Sequence, residues 1–202
     1  MNLKKEQLPQ DDNLTRLLNG EYIFVKDFLS PKEADANLKS LTKHIKWKQE
    51  NIRIFGKDIA IPRLTAWYGD QDMNYNYSGI NNDPNPWTSE LQGLKAKVEQ
   101  ATNATFNSVL LNRYRNGNDS VSWHADNEPE LGLNPIIASV NLGATRVFKL
   151  RHSITKDVIK LDLTHGSLLV MGGELQHYWQ HAVPKTKKVL DTRINLTFRL
   201  IK

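Results

Sequence analysis

His124 and Asp126 stand two positions apart in the run Val121-Ser-Trp-His-Ala-Asp-Asn-Glu128. On an extended strand, positions i and i+2 point the same way, so an imidazole and a carboxylate converge on one point. With one distant histidine, the set becomes the two-His, one-carboxylate face that holds non-haem Fe(II) and leaves positions open for chemistry. The bland reading is a surface histidine beside a turn carboxylate, because His-x-Asp also arises by chance. The candidates for the distal ligand are His152, His165, His177 and His181, and spacing alone does not choose among them.

The end of the chain adds a second constellation. From Arg193 to Ile201 the sequence alternates, with Ile194, Leu196 and Phe198 on one face and Arg193, Asn195, Thr197 and Arg199 on the other. Such a strand reads either as half-exposed or as one whose polar face has a ligand. Two arginines flanking an amide and a hydroxyl suit bidentate binding of a small dicarboxylate. Asn112 and Tyr114, again at i and i+2, could add donors to the same pocket.

Taken together, these residues carry a resemblance. Asn112-Arg-Tyr114, His124-Ala-Asp126-Asn-Glu128, Pro135-Ile-Ile-Ala-Ser139, His165-Gly-Ser-Leu-Leu-Val-Met171, Trp179-Gln-His181 and Arg193-Ile-Asn-Leu-Thr-Phe-Arg199 occur in that order. In these blocks the chain resembles the AlkB family of Fe(II)/2-oxoglutarate dioxygenases, and in particular its duplex-DNA repair branch. An upstream block, Pro62-Arg63, Tyr68-Gly-Asp70 and Tyr75-Asn-Tyr-Ser-Gly79, looks like the family's substrate-side segment, so the likeness runs from Pro62 to Lys202.

The resemblance implies roles. It selects His181 as the distal ligand, so that His124, Asp126 and His181 would hold Fe(II). Asn112, Tyr114, Arg193, Asn195, Thr197 and Arg199 would bind 2-oxoglutarate, with O2 as the second cosubstrate. The implied reaction hydroxylates an N-methyl group on a base of the 1-methyladenine or 3-methylcytosine type. It releases formaldehyde, succinate and CO2. A methyl on the pairing edge lies inside a duplex, so the base must first be flipped out. Tyr75, Tyr77, Ser78, Asn127 and Glu128 would then meet the base. The branch usually carries an acidic residue where Asn127 stands, which leaves base discrimination open.

Ile52-Arg-Ile-Phe-Gly-Lys-Asp58 reads as a hairpin with Phe55 at its tip. The ring either folds onto the core or enters a base stack as a wedge, and the resemblance favours the wedge. The same likeness assigns Phe55, Gly56, Lys57, Arg63, Lys185, Lys187 and Lys188 to contact with DNA. The turn between Arg151 and Val158 is short, and its relatives often carry a longer basic loop there, so single-stranded DNA or RNA stays open as substrate.

Other elements must position these residues. Ser30-Pro-Lys-Glu33 has the form of a capping box, followed by Ala34, Leu38, Leu41 and Ile45 at helical spacing. A second helix is expected over 88–102, with Leu91, Leu94, Val98 and Ala101 as its apolar stripe. Strands are expected at 109–114, 122–126, 136–142, 146–151, 158–163, 167–171 and 193–201. Helices followed by strands predict an α+β fold. The resemblance sharpens this to a double-stranded β-helix, a jelly-roll core braced by N-terminal helices. Residues 1–20 read as a flexible tail and 21–202 as a single dioxygenase domain. Within it, 21–105 carry the helices and the nucleotide-recognition segment, and 106–202 the jelly-roll.

The bulk properties bound this reading. The 202 residues fit one domain, and the absence of cysteine excludes disulfides and thiolate clusters. A net charge of +5 and a pI of about 9.3 suit a polyanion. No apolar run reaches the ~20 residues of a membrane span, and the first residues lack a secretory signal. The expectation is therefore an intracellular monomer, in the cytoplasm or nucleoid of a bacterium or the nucleus of a eukaryote. The alternatives to a DNA demethylase are the same oxygenase chemistry on RNA or another substrate, and a non-catalytic nucleic-acid-binding module. The hairpin at Phe55 argues against a small substrate, and the full ligand set argues against mere binding.

Overall fold

The computed structural model describes residues 8–54, 56–71, 76–77, 80–81 and 84–202, with the backbone alone at 54, 76, 77, 80 and 81. In chain order the first elements are strands β1 (Leu14–Leu17) and β2 (Gly20–Val25), helix α1 (Pro31–His44), and strands β3 (Asn51–Ile54), β4 (Lys57–Ala60), β5 (Leu64–Gly69), β6 (Asn76–Tyr77) and β7 (Ile80–Asn81). Helix α2 (Ser89–Thr102) leads into β8 (Ser108–Tyr114), β9 (Val121–His124), β10 (Ile137–Gly143), β11 (Arg146–His152), β12 (Val158–Leu163) and β13 (Ser167–Gly172). A one-turn helix α3 (Leu175–Tyr178), β14 (Trp179–Val183) and β15 (Arg193–Arg199) complete the chain.

Both long helices begin as the sequence predicts. The Ser30 hydroxyl accepts from the Glu33 N–H, and the Glu33 carboxylate accepts from the Ser30 N–H, closing the capping box ahead of Pro31. Thr88 caps α2, which ends at Asn103 in the left-handed region (φ 51°). One stripe position needs correction: Leu91, Leu94 and Val98 are buried, but the fourth member is Thr102, and Ala101 is exposed. At 3.6 residues per turn, eleven residues make about three turns, so Thr102 returns to the face of Leu91 where Ala101 does not.

The core strands form two antiparallel sheets, one of seven strands in the order β1-β2-β13-β10-β15-β8-β5 and one of four in the order β12-β11-β14-β9, while β3–β4 and β6–β7 are separate two-stranded ribbons. The helices cover the outer face of the larger sheet. Between them and the sheet lies one core, containing Leu41, Leu91, Val109, Val140, Ile194 and Phe198. A second core between the sheets contains Tyr114, Ile137, Phe148, Leu150, Met171 and Val183. This is a jelly-roll sandwich braced on one side by helices. Strand alternation sets the site: on β15 the even-numbered residues fill the helix-side core, while Arg193, Asn195, Thr197 and Arg199 face the cavity between the sheets.

The segment read as a tail is structured from Leu8 onward. Leu8 is buried and donates its N–H to Glu21 Oε1 at 2.6 Å, and β1 pairs with β2 at the edge of the large sheet. The signal lay in Asn19-Gly20, whose turn places Asn19 at φ 56°. Among the described residues, no helix is long and apolar enough to cross a membrane.

Candidate metal centre

β9 and β14 run side by side and place His124 directly across from His181. The rings lie 4.2 Å apart between centroids. Asp126 follows β9 in a loop, because the strand ends at His124 rather than continuing through 126. Its Oδ1 lies 3.8 Å from His124 Nε2 and 4.0 Å from His181 Nε2. All three ligand atoms lie within 4.8 Å of one another, the spacing of groups that share one ion. His124 Nδ1 stands 2.8 Å from the Ser122 carbonyl; donating there leaves the Nε2 lone pair for a metal.

Electrostatics match a ligand role. Burial pushes His181 down to about 4, so it is neutral at pH 7 with a lone pair to give. Burial works to raise the Asp126 carboxyl, but Arg199 and then the two histidines outweigh it and hold it well below the usual carboxylate range. The other histidines serve elsewhere. His177 is exposed, His152 accepts from the Ile154 and Thr155 N–H groups, and His165 accepts from the Gly143 N–H.

The triad opens into a cavity of about 260 Å³ lined also by Asn112, Tyr114, Arg193, Asn195, Thr197 and Arg199. The two arginines differ. Arg193 is 2% exposed, donates through Nη2 to Asn141 Oδ1 at 2.6 Å, and lies over the Tyr114 ring. Its Nε and Nη1 make no well-formed hydrogen bond, and burial lowers its pKa, with Tyr114 acting against that. Arg199 instead donates to Asp126 Oδ2 at 2.7 Å. Asn195 and Thr197 spend polar groups inside the sheet: Asn195 Nδ2 donates to Ser139 Oγ, and Thr197 Oγ1 donates to Asn195 Oδ1. Asn112 Oδ1 accepts from Arg63 Nε at 2.7 Å, so Arg63, read as a DNA contact, lines the cavity beside Asn112.

On the substrate side, Glu128 lines the cavity, and burial, with Asp126 adding to it, raises its pKa. Asn127 is exposed and lies off the cavity wall. Phe55, Tyr75 and Ser78 lie outside the described residues, and Tyr77 is described only as backbone in β6. The β3–β4 hairpin forms, with Gly56 in its turn at φ +78° and with open space around it. Lys57, Lys185, Lys187 and Lys188 are exposed. The loop bearing the last three is tied to Gly117, whose N–H donates to the Val189 carbonyl and whose carbonyl accepts from the Thr186 N–H. Sequence reasoning missed Arg146, a buried cation that donates to the carbonyls of Asn116, Asp119 and Pro184 and so fixes both loops at the cavity's edge. It also missed Gln176, whose Oε1 accepts from the Asp126 N–H.

A model of the 2OG-Fe(II) oxygenase superfamily matches residues 21–199. Human alpha-ketoglutarate-dependent dioxygenase alkB homolog 3 is 46% identical over 187 residues, covering 86% of this chain and 64% of that protein. Human DNA oxidative demethylase ALKBH2 is 39% identical over 180 residues, covering 84% of this chain and 69% of that protein. The chain belongs to the AlkB family of 2OG-Fe(II) oxygenases. The match thus spans somewhat under two thirds of the alkB homolog 3 relatives. The solved structure described as "The structure of OsALKBH1" shares the fold, with a TM-score of 0.66 at 20% identity over 92% of this chain and 100% of that one. The AlkB cofactors fit the residues present. His124, Asp126 and His181 offer the donor set of Fe(II), and Arg193, buried with two N–H-bearing nitrogens that make no well-formed hydrogen bond, fits a 2-oxoglutarate carboxylate.

Proposed function

We propose that this chain is an oxidative demethylase of N-methylated nucleobases in DNA, of the 1-methyladenine and 3-methylcytosine type. The observation that carries the reading is the sharing of one cavity by the His124-Asp126-His181 triad and a buried Arg193 guanidinium whose Nε and Nη1 make no well-formed hydrogen bond. A purely binding module has no need of an anion-seeking buried cation beside three converged ligands. When bound, Fe(II) with 2-oxoglutarate supplies hydroxylation of a C–H bond from O2, with succinate and CO2 as co-products.

The chain's own residues do the rest. Arg193 orients the cosubstrate by its fork of donors, and Arg199 holds the Asp126 carboxylate so that Oδ1 faces the histidines. Glu128, half-buried at the cavity wall, offers a hydrogen-bonding group for the exocyclic edge of a flipped base. The resemblance assigns Tyr75, Tyr77 and Ser78 to contact with the base and Phe55 to the gap left in the stack. The exposed Lys57, Lys185, Lys187 and Lys188 meet phosphates. The hydroxymethylated base then releases formaldehyde and is restored.

The test is product analysis: the protein with Fe(II), 2-oxoglutarate and oligonucleotides carrying single defined lesions, in single-stranded DNA, duplex DNA and RNA. Formaldehyde and unmodified base at a DNA lesion support the proposal. Turnover on RNA alone, or on none of them, overturns it.

A further inference from the structure

Asp126 has a backbone problem that its side chain does not reveal. The β9–β14 ladder ends at the His124–His181 pair, and Asp126 lies two residues beyond it, 4% exposed and outside any strand. A buried N–H at that point has no ladder carbonyl and needs an acceptor from elsewhere. Gln176 provides one: its Oε1 accepts the Asp126 N–H at 3.0 Å, from a side chain itself 2% exposed. Its amide nitrogen faces Met171 Sδ at 3.8 Å, on the cavity wall.

The element that presents Gln176 is short, and it is braced from behind. Helix α3 has four residues, too few to hold its place by its own hydrogen bonds. The β1–β2 turn braces it. Asn19 Nδ2 donates to Glu174 Oε2 at 3.0 Å, and Trp179 Nε1 donates to the Leu18 carbonyl at 2.9 Å. Gly20 packs so closely that a Cβ there would come within 3.0 Å of Leu175. The Leu18–Gly20 turn therefore touches residues on both sides of Gln176.

We infer that Gln176 is a positioning residue for the metal ligand Asp126, standing in for the missing strand partner, and that the β1–β2 turn seats it through α3. The inference rests on the metal-centre reading. It predicts that the geometry of the bound ion, and not only the stability of the fold, depends on a side chain that touches neither metal nor substrate.

Co(II) alone, titrated into the full chain and followed by its visible absorption, tests this without turnover. Gln176→Met matches the length and removes the strong acceptor. It should weaken Co(II) binding roughly tenfold, as loss of a ligand's hydrogen-bond partner does elsewhere. It should also shift the absorption bands, while the metal-free variant keeps the wild-type circular dichroism. Wild-type affinity and unchanged bands in that variant overturn the inference while leaving the metal centre intact. Failure of the wild-type chain to bind Co(II) removes the metal centre itself. Should Gln176→Met not fold, hydrogen exchange of the Asp126 amide in the metal-free wild-type protein decides: protection supports the bond to Gln176, and exchange at the rate of an open chain overturns it.

Discussion

Arg199 donates through Nη2 to Oδ2 of Asp126 at 2.7 Å, while Oδ1 of the same carboxylate faces His124 and His181 at 3.8 and 4.0 Å. The two oxygens are thus separated, one bonded to an arginine and one facing the two histidines with which it could share an ion. Asp126→Ala should abolish both, with a loss of metal affinity beyond the roughly 10–100-fold seen when only a supporting residue is removed. Arg199→Ala should weaken metal binding as well as 2-oxoglutarate use. Calorimetric titration with Mn(II), before and after adding 2-oxoglutarate, separates the two; unimpaired Mn(II) binding by Asp126→Ala would show that the centre lies elsewhere.

Arg193 stands apart from the ligands, and its variant should behave differently. Arg193→Ala removes a charge-assisted contact worth about 1.5–3 kcal/mol, so the apparent affinity for 2-oxoglutarate should fall at least roughly tenfold with Mn(II) binding little changed. Arg193→Lys should not restore it, since a single ammonium cannot replace the planar fork. Cosubstrate dependence equal to wild type would mean that the buried guanidinium serves packing alone.

His181→Ala should lose metal, whereas the exposed His177→Ala should keep it. Inductively coupled plasma analysis of the metal retained after gel filtration reads this directly, and the reverse pattern reassigns the distal ligand.

Phe55→Ala tests the hairpin. Unstacking costs a few kcal/mol in a duplex and little in a single strand, so the variant should lower repair of duplex DNA while largely sparing a single-stranded oligonucleotide. The ratio of the two rates is the measurement. Equal losses on both substrates would point to a role in the core, and no loss on either would discard the wedge.

Asp119 tests the loop that carries Arg146's acceptors. Burial acts to raise this carboxyl, but bonds from the Arg115 guanidinium and N–H prevail and lower its pKa. A carboxyl lowered in the folded state contributes its stability fully above the unfolded value near 3.9, and that contribution disappears as pH falls through the folded value. Asp119→Asn should therefore cost about 1–2 kcal/mol at pH 7, with Arg115's partial exposure keeping the figure modest. The gap from wild type should narrow below about pH 4. Urea melts at pH 7 and pH 3 check the sign, and a gap that widens in acid contradicts it.

Much of the site could be read from spacing. The alternation of β15 follows from side-chain period and the cap of α1 from Ser30 and Glu33, whereas Asp126 meets His124 from a loop past the strand's end rather than by the strand period that first paired them. What spacing hides is support that arrives from far along the chain. Gln176 is 50 residues from Asp126, and Arg146 reaches backward to Asn116 and Asp119 and forward to Pro184. Neither carries a local pattern. The distinct duties of Arg193 and Arg199 were equally hidden, because both stand on one face of one strand and only the neighbouring elements tell them apart.

Strand β15 has no neutral face: one side closes the helix-covered core and the other lines the cavity between the sheets with Arg193, Asn195, Thr197 and Arg199. In a library of random variants, substitutions there would sort by parity, with odd-numbered positions yielding folded but inactive protein and even-numbered ones yielding protein that fails to accumulate. Insertions or deletions of a single residue would exchange the two sets at once, so this stretch of the gene should tolerate no change in length even where individual residues can vary.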